Sequence, residues 1–158
     1  MRATRRLFIG IGNPLRGDDA AGLLAARSLR QRGAGGAEVH ELEGEPVDLI
    51  ETWEGADLVL VADAVASGSE PGEVHRIDAG AGPLPAALAG PSTHALGVAD
   101  AVELARALER LPRRLIIYGI EGASFEPGAE RSAAVLAAVE RVAEAAVGEL
   151  RGGCASER

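Results

Sequence analysis

Residues 56–62 read Ala-Asp-Leu-Val-Leu-Val-Ala, and Asp63 follows them directly. Residues 58–62 of this stretch form a continuous apolar run, which is typical of a parallel strand that is buried on both faces of its sheet. Two further runs, over residues 7–12 and 115–120, have the same character. These three runs predict a sheet whose inner strands are covered by helices on both sides.

Helical patterns alternate with the strand signals. Apolar residues spaced by three or four predict helices over 19–32, 95–111 and 129–150, and a short helix over 46–53. Residues 37–42 and 74–77 are predicted as further strands, and 79–91 as a loop rich in Gly, Ala and Pro. The alternation predicts an α/β fold of three layers, α/β/α, with a twisted, mostly parallel central sheet of about five strands.

Length and charge narrow the class of protein. The 158 residues fit one α/β domain over 1–150, followed by a flexible polar tail over 151–158. The net charge of −8 disfavours nucleic acid and anionic membrane surfaces as partners. We find no stretch long enough to span a membrane. A cytoplasmic location is therefore the expectation, and we expect a monomer because nothing in the sequence suggests an obligate interface.

The residue types exclude several kinds of chemistry. All 16 basic residues are Arg, so a Walker-A lysine and a Schiff-base lysine are both ruled out. Cys154 is the single cysteine, so no disulfide can form within the chain. It lies in the polar tail, where we interpret it as an exposed residue without a role in the chemistry.

Three polar groups follow predicted strands or begin a predicted helix. The first run leads to Asp18-Asp19, the second ends at Asp63, and the loop after residue 79 ends at His94. Ligands bind parallel sheets at the carboxyl ends of the strands, which lie on one rim. Two carboxylates and one imidazole suit a divalent first-row metal ion and leave coordination positions open. Asp19, Asp63 and His94 are thus the predicted metal ligands.

Structural roles compete with this interpretation. Asp18 or Asp19 can cap the first helix, and His94 alone would more often be a structural residue at a helix start. For Asp63 a functional role is favoured, because burying a carboxylate directly after a buried strand is costly in free energy unless it is solvated or paired. For His40 and His75 we favour surface or packing roles.

Two other enzyme classes fit the sequence less well. Gly10-x-Gly12 after a strand is typical of dinucleotide-binding folds, but Leu15 stands where the third glycine belongs. A serine hydrolase would carry Gly-x-Ser-x-Gly, whereas the nearest stretch, 122–126, ends in Glu126. A nucleotide-binding oxidoreductase domain is therefore ranked below the metal site.

The motifs, taken in order, resemble those of the hydrogenase maturation endopeptidases over residues 5–150. They are Gly10-x-Gly12-Asn13-x-Leu15-x-x-Asp18-Asp19-x-x-Gly22, Val61-Ala62-Asp63-Ala64 and Ser92-x-His94-x-Leu96-Gly97. In that family the residue aligned with Asp19 is often Glu. The segment Glu43-Gly44-Glu45-Pro46 also differs from the Gly-Gly-Thr type of turn that some members carry.

The resemblance implies an activity and its residues. The family removes a carboxyl-terminal extension from the precursor of the nickel–iron hydrogenase large subunit after nickel has been inserted. Asp19, Asp63 and His94 align with its metal-binding and catalytic residues. The nickel is that of the precursor, and other divalent ions can take its place. A non-catalytic nickel-binding checkpoint module for hydrogenase assembly would use the same ligands and is the alternative.

Overall fold

The computed structural model describes residues 3–85 and 93–152, except for the side chains of residues 93–96. Its strands are β1 (Arg6–Ile11), β2 (Glu38–Leu42), β3 (Leu58–Val65), β4 (Val74–Asp78) and β5 (Arg114–Glu121). Its helices are α1 (Ala21–Arg32), α2 (Pro46–Trp53), α3 (Thr93–Ala107) and α4 (Ala133–Gly152), and a 3₁₀ turn over Gly17–Ala20 precedes α1.

The strands form one sheet in the order β2-β1-β3-β5-β4. β1 pairs in parallel with β2 and β3, and β3 pairs in parallel with β5. β4 lies at the edge and runs antiparallel to β5. The prediction of a five-stranded, mostly parallel sheet is therefore confirmed.

The two faces of the sheet are buried against different helices. Phe8, Leu60 and Tyr118 pack with α1 and α4 on one face. Ile9 and Val61 pack with α2 and α3 on the other. Because successive residues of a strand point to opposite faces, β3 can be buried at all eight positions and serve both cores.

α1 lies unusually close to the strands beneath it. A Cβ atom added to Gly22 would stand 2.2 Å from the carbonyl oxygen of Ala62 and 2.3 Å from that of Ile11. A Cβ on Gly10 would stand 2.2 Å from the carbonyl oxygen of Gly22. Only glycine allows this approach, which brings the start of α1 against the carboxyl ends of β1 and β3.

Helix ends differ from the sequence-based expectation. The N-cap of α1 is Ala20, so the predicted capping by Asp18 or Asp19 is wrong. Both aspartates lie in the preceding 3₁₀ turn, where the Asp18 carboxylate accepts hydrogen bonds from a distant loop. α3 ends at Ala107, before Pro112, and Glu109 follows in the left-handed region with φ of 57°.

The last helix is also displaced from its predicted range. α4 begins at Ala133 instead of about residue 129, because Ser132 is hydrogen-bonded to Asp18 through its N–H and its hydroxyl. It continues to Gly152, so the first two residues of the predicted tail are helical. Residues 153–158, with Cys154, lie outside the described residues, as does 86–92 of the predicted loop.

The amino ends of the strands are tied together by arginines. The Arg5 N–H donates to Asp57 Oδ2 at 2.8 Å, and its guanidinium pairs with Glu38 at the start of β2. The Arg6 guanidinium donates to the carbonyl oxygens of Leu150 and Gly35. The start of β1 therefore lies beside the end of α4.

In the part of the chain that is described, no helix has the length and apolarity that crossing a membrane requires.

Candidate functional site

Asp19 lies in the 3₁₀ turn at the carboxyl end of β1 and is only 3% exposed. Its Oδ2 accepts a hydrogen bond from the backbone N–H of Asn13 at 3.1 Å. A Cβ on Gly12 would stand 2.1 Å from the carbonyl oxygen of Asp19, so the turn folds back closely over the strand end. The loop after β1 thereby holds the Asp19 carboxylate at the rim.

Asp63 lies in β3, which continues two residues beyond it. It is 2% exposed and pairs in register with Gly119 of β5. A small pocket of about 20 Å³ adjoins it. The other lining residues are Val65, Leu84, Val98, Ala99, Ile117 and Gly119. The Asp63 carboxylate is thus buried at the carboxyl end of β3, where the charge of a bound divalent cation would offset the cost of burying it.

His94 belongs to the first turn of α3. Gly97, three residues later, packs so closely on the loop after β2 that a Cβ there would stand 2.3 Å from the carbonyl oxygen of Gly44. The start of α3 therefore lies near the carboxyl end of β2. The His94 side chain itself is outside the described residues, and its part in the ligand set stays a prediction.

The structure thus places Asp19 and Asp63, from separate elements, at the same rim of the sheet. Among the side chains that are described, no three His, Cys, Asp or Glu residues are grouped so as to hold a metal ion. A complete set would need His94 or another group outside that part of the chain.

Asp18 is fully buried and is held by four hydrogen bonds. Its carboxylate accepts from the backbone N–H groups of Ala123, Ser124 and Ser132 and from the Ser132 hydroxyl, at 2.7–3.1 Å. Burial raises the pKa of Asp18, but these hydrogen bonds to the charged form together outweigh it, and the pKa lies below its ordinary value. Asp18 therefore fastens the loop after β5 to the turn that carries Asp19.

A fourth buried carboxylate lies at this rim, and the sequence interpretation gave it no role. Glu121, the last residue of β5, is 1% exposed. Its carboxylate accepts from the backbone N–H and the hydroxyl of Ser67, and it lies 3.2 Å from Nε2 of His75. The available signal was the one used for Asp63, a charged residue that directly closes a buried apolar run. His75, for which we favoured a surface or packing role, is in fact part of this cluster.

Comparisons with known proteins agree with this architecture. The model of a family described as HycI, hydrogenase maturation protease, matches residues 28–149. The hydrogenase expression/formation protein HupD of Bradyrhizobium diazoefficiens is 30% identical over 124 residues, which are 77% of this chain and 65% of that protein. HupD of Thiocapsa roseopersicina is 29% identical over 117 residues, or 73% of this chain and 53% of that protein. The chain therefore matches less than two thirds of the length of these two relatives.

A solved structure covers nearly the whole fold. The hydrogenase maturating endopeptidase HybD from Escherichia coli superimposes with a TM-score of 0.79 at 28% identity, over 95% of this chain and 94% of that one. The family match extends from α1 to α4 and so includes β3 with Asp63 and β5 with Glu121. The chain belongs to the hydrogenase maturation protease family.

Proposed function

We propose that this protein is an endopeptidase that removes the carboxyl-terminal extension of a nickel–iron hydrogenase large-subunit precursor after nickel insertion. Membership of the family supports a protease. The observation that carries the site is the pair of buried carboxylates, Asp19 and Asp63, which two separate elements bring to one rim. His94, in the first turn of α3, is the proposed third member of the site.

In this proposal the three side chains bind the nickel that the precursor carries. Two carboxylates offset the charge of the cation, and a neutral imidazole supplies a nitrogen donor. The Asn13 N–H orients the Asp19 carboxylate, as outer hydrogen bonds commonly do for metal ligands. A nickel ion held there would act as a Lewis acid on the scissile peptide carbonyl. Cleavage would then depend on nickel insertion, because without the ion the substrate has nothing for these residues to hold.

The test is to mix the purified protein with nickel-loaded and with nickel-free precursor and to follow the precursor's mass. Loss of a carboxyl-terminal peptide from the nickel-loaded form alone is the expected result. Binding without loss of mass would favour the non-catalytic checkpoint module. Cleavage of both forms would overturn recognition of the metal.

Replacing His94 with Ala tests the ligand assignment. We expect H94A to bind nickel-loaded precursor weakly and to leave it uncut, while its urea midpoint stays that of the unchanged protein. H40A is the matched control, because His40 lies on β2 and its ring pairs with Glu38 of the same strand. Normal processing by H94A would mean that His94 is not a ligand.

A further inference from the structure

The ring of His75 is oriented by its contact with Glu121. An ionised carboxylate can only accept hydrogen bonds, and that of Glu121 lies 3.2 Å from Nε2 of His75. This contact favours the tautomer that is protonated at Nε2. In the neutral ring, Nδ1 is then an acceptor with its lone pair directed away from Glu121. Within residues 3–85 and 97–152, Glu121 is the hydrogen-bond partner of this ring.

Glu121 is itself held rigidly, so the ring it orients is held as well. Ser67 donates to it twice, from its backbone N–H at 2.8 Å and from its hydroxyl. The backbone of Glu121 is also bonded to its neighbours, because its carbonyl accepts from the Gly72 N–H at 2.7 Å and its N–H donates to Glu73 at 2.9 Å. These bonds hold the cluster at the end of β5 and fix the loop before β4.

The sheet register places His75 on the same face as Asp63. Gly119 is the partner of Asp63 in β3 and also of His75 in β4. Residues paired across neighbouring strands project to the same face, and two strand spacings separate their backbones by roughly 10 Å. A Cβ on Gly119 would stand 3.7 Å from that of His75 and 3.2 Å from a methyl group of Val65, so Val65 covers the sheet between Asp63 and His75. An extended peptide that contacts Asp63 would span the distance to His75, over Val65, with about three residues. The imidazole is open to such a peptide because the His75 side chain is 24% exposed.

We propose that His75, oriented by Glu121, binds the precursor beside Asp63 by accepting a hydrogen bond at Nδ1 from a peptide N–H of the carboxyl-terminal segment. This inference rests on the proposed function and adds a substrate-binding side chain to it. The partner is a peptide backbone because an imidazole acceptor in this tautomer requires a donor, and each non-proline residue of an extended chain offers one.

The test compares H75A with H40A in the cleavage of nickel-loaded precursor. Both histidines pair through Nε2 with a glutamate, but His40 lies on β2, at the opposite edge of the sheet. Loss of one hydrogen bond should raise KM for H75A roughly threefold to tenfold, with kcat unchanged within about twofold. H40A should match the unchanged protein. A fall in kcat without a change in KM would overturn the binding role in favour of proton transfer.

S67A separates binding from structural support. It removes one donor to Glu121 and leaves the ring in place, so it should lower the urea midpoint without raising KM. If S67A and H75A both lower stability and neither changes KM, the cluster is only structural and the inference fails.

Two measurements do not depend on cleavage. The nitrogen-15 shifts of His75 should report the tautomer protonated at Nε2, and the opposite tautomer would overturn the inference. If the unchanged protein binds precursor without cutting it, the endopeptidase proposal fails on its own. The dissociation constants of H75A and H40A for the precursor would then test His75 directly, since only H75A should bind more weakly.

Discussion

Asp18 and Asp19 are adjacent in the sequence, but their carboxylates lie in different surroundings. Asp18 accepts four hydrogen bonds from the loop after β5, whereas Asp19 accepts the N–H of Asn13 in the loop after β1. The first therefore joins two loops across more than 100 residues of sequence, and the second remains at the strand end. Asp18 thus holds the rim together, whereas Asp19 faces the proposed substrate.

Replacing Asp18 with Asn should destabilise the protein. The amide would keep one acceptor oxygen and turn its NH₂ group towards backbone N–H donors that the carboxylate satisfied. We expect D18N to lose about 2–3 kcal/mol in the free energy of unfolding, measured by urea denaturation. D100N, which changes an exposed aspartate on α3, should stay within about 0.5 kcal/mol of the unchanged protein. Equal effects of both variants would contradict the role given to Asp18.

The Asp18 carboxylate should also make the free energy of unfolding depend on pH in the acid range. The pKa of Asp18 is lower in the folded protein than its ordinary value of 3.8. Its stabilising contribution is therefore fully present above the unfolded-state pKa and is lost as the pH falls through the lower folded-state value. The free energy of unfolding should fall less steeply below pH 3.8 in D18N than in the unchanged protein. Parallel slopes would show that other groups account for the acid sensitivity.

Single residues of the site were predictable to different degrees. Asp63 and Asp19 could be placed on one rim because strand ends follow from local apolar runs. The roles of Asp18 and Glu121 could not, since their partners are brought near only by the fold: Ser132 is 114 residues from Asp18, and Ser67 is 54 from Glu121. The contact of His75 with Glu121 could not be predicted for the same reason, since 46 residues separate them.

At the scale of elements, contact between α1 and the sheet depends on Gly22. In G22A the added methyl group would collide with two backbone carbonyl oxygens that cannot move independently of β1 and β3. We expect a loss of about 3 kcal/mol in the free energy of unfolding, measured by urea denaturation.

G148A is the matched control for this substitution. Gly148 is also helical and exposed, and a Cβ there meets nothing within 4 Å. Alanine at this position should stabilise α4 by about 0.5–1 kcal/mol because it restricts the unfolded chain. If G22A were tolerated as well as G148A, α1 would not lie as close to the strands as described.

The elements themselves were largely predictable, whereas their ends were not. Buried strands such as β3 and β5 are evident in the sequence because residues 58–62 and 115–120 form continuous runs without a charged residue. α4 begins four residues later than its pattern indicates because Ser132 is bonded to Asp18. The spacing of apolar residues shows which face of a helix is buried, but a tertiary hydrogen bond can decide where the helix starts.

At the scale of the molecule, one sheet supports two cores that should unfold together. Trp53, the single tryptophan, is fully buried on the α2 and α3 face, and Tyr118, the single tyrosine, lies on the α1 and α4 face. Each core thus contains one residue that can report on its unfolding. Urea midpoints from Trp53 fluorescence and from fluorine NMR of fluorotyrosine at Tyr118 should coincide, because β3 belongs to both cores. Separate midpoints would show that one face can open alone.

The contact between the Arg6 guanidinium and the carbonyl of Leu150 brings the start of β1 beside the end of α4. Arg6 also reaches Gly35, in the turn between α1 and β2, so this turn lies at the same place. A circular permutant could therefore join the end of α4 to the start of β1 through a short linker and open the backbone at 33–36. Its new ends would lie at the amino edge of the sheet. The rim that carries Asp19, Asp63 and Glu121 would be left uncut, and fused reporters would stand on the far side from the arriving precursor.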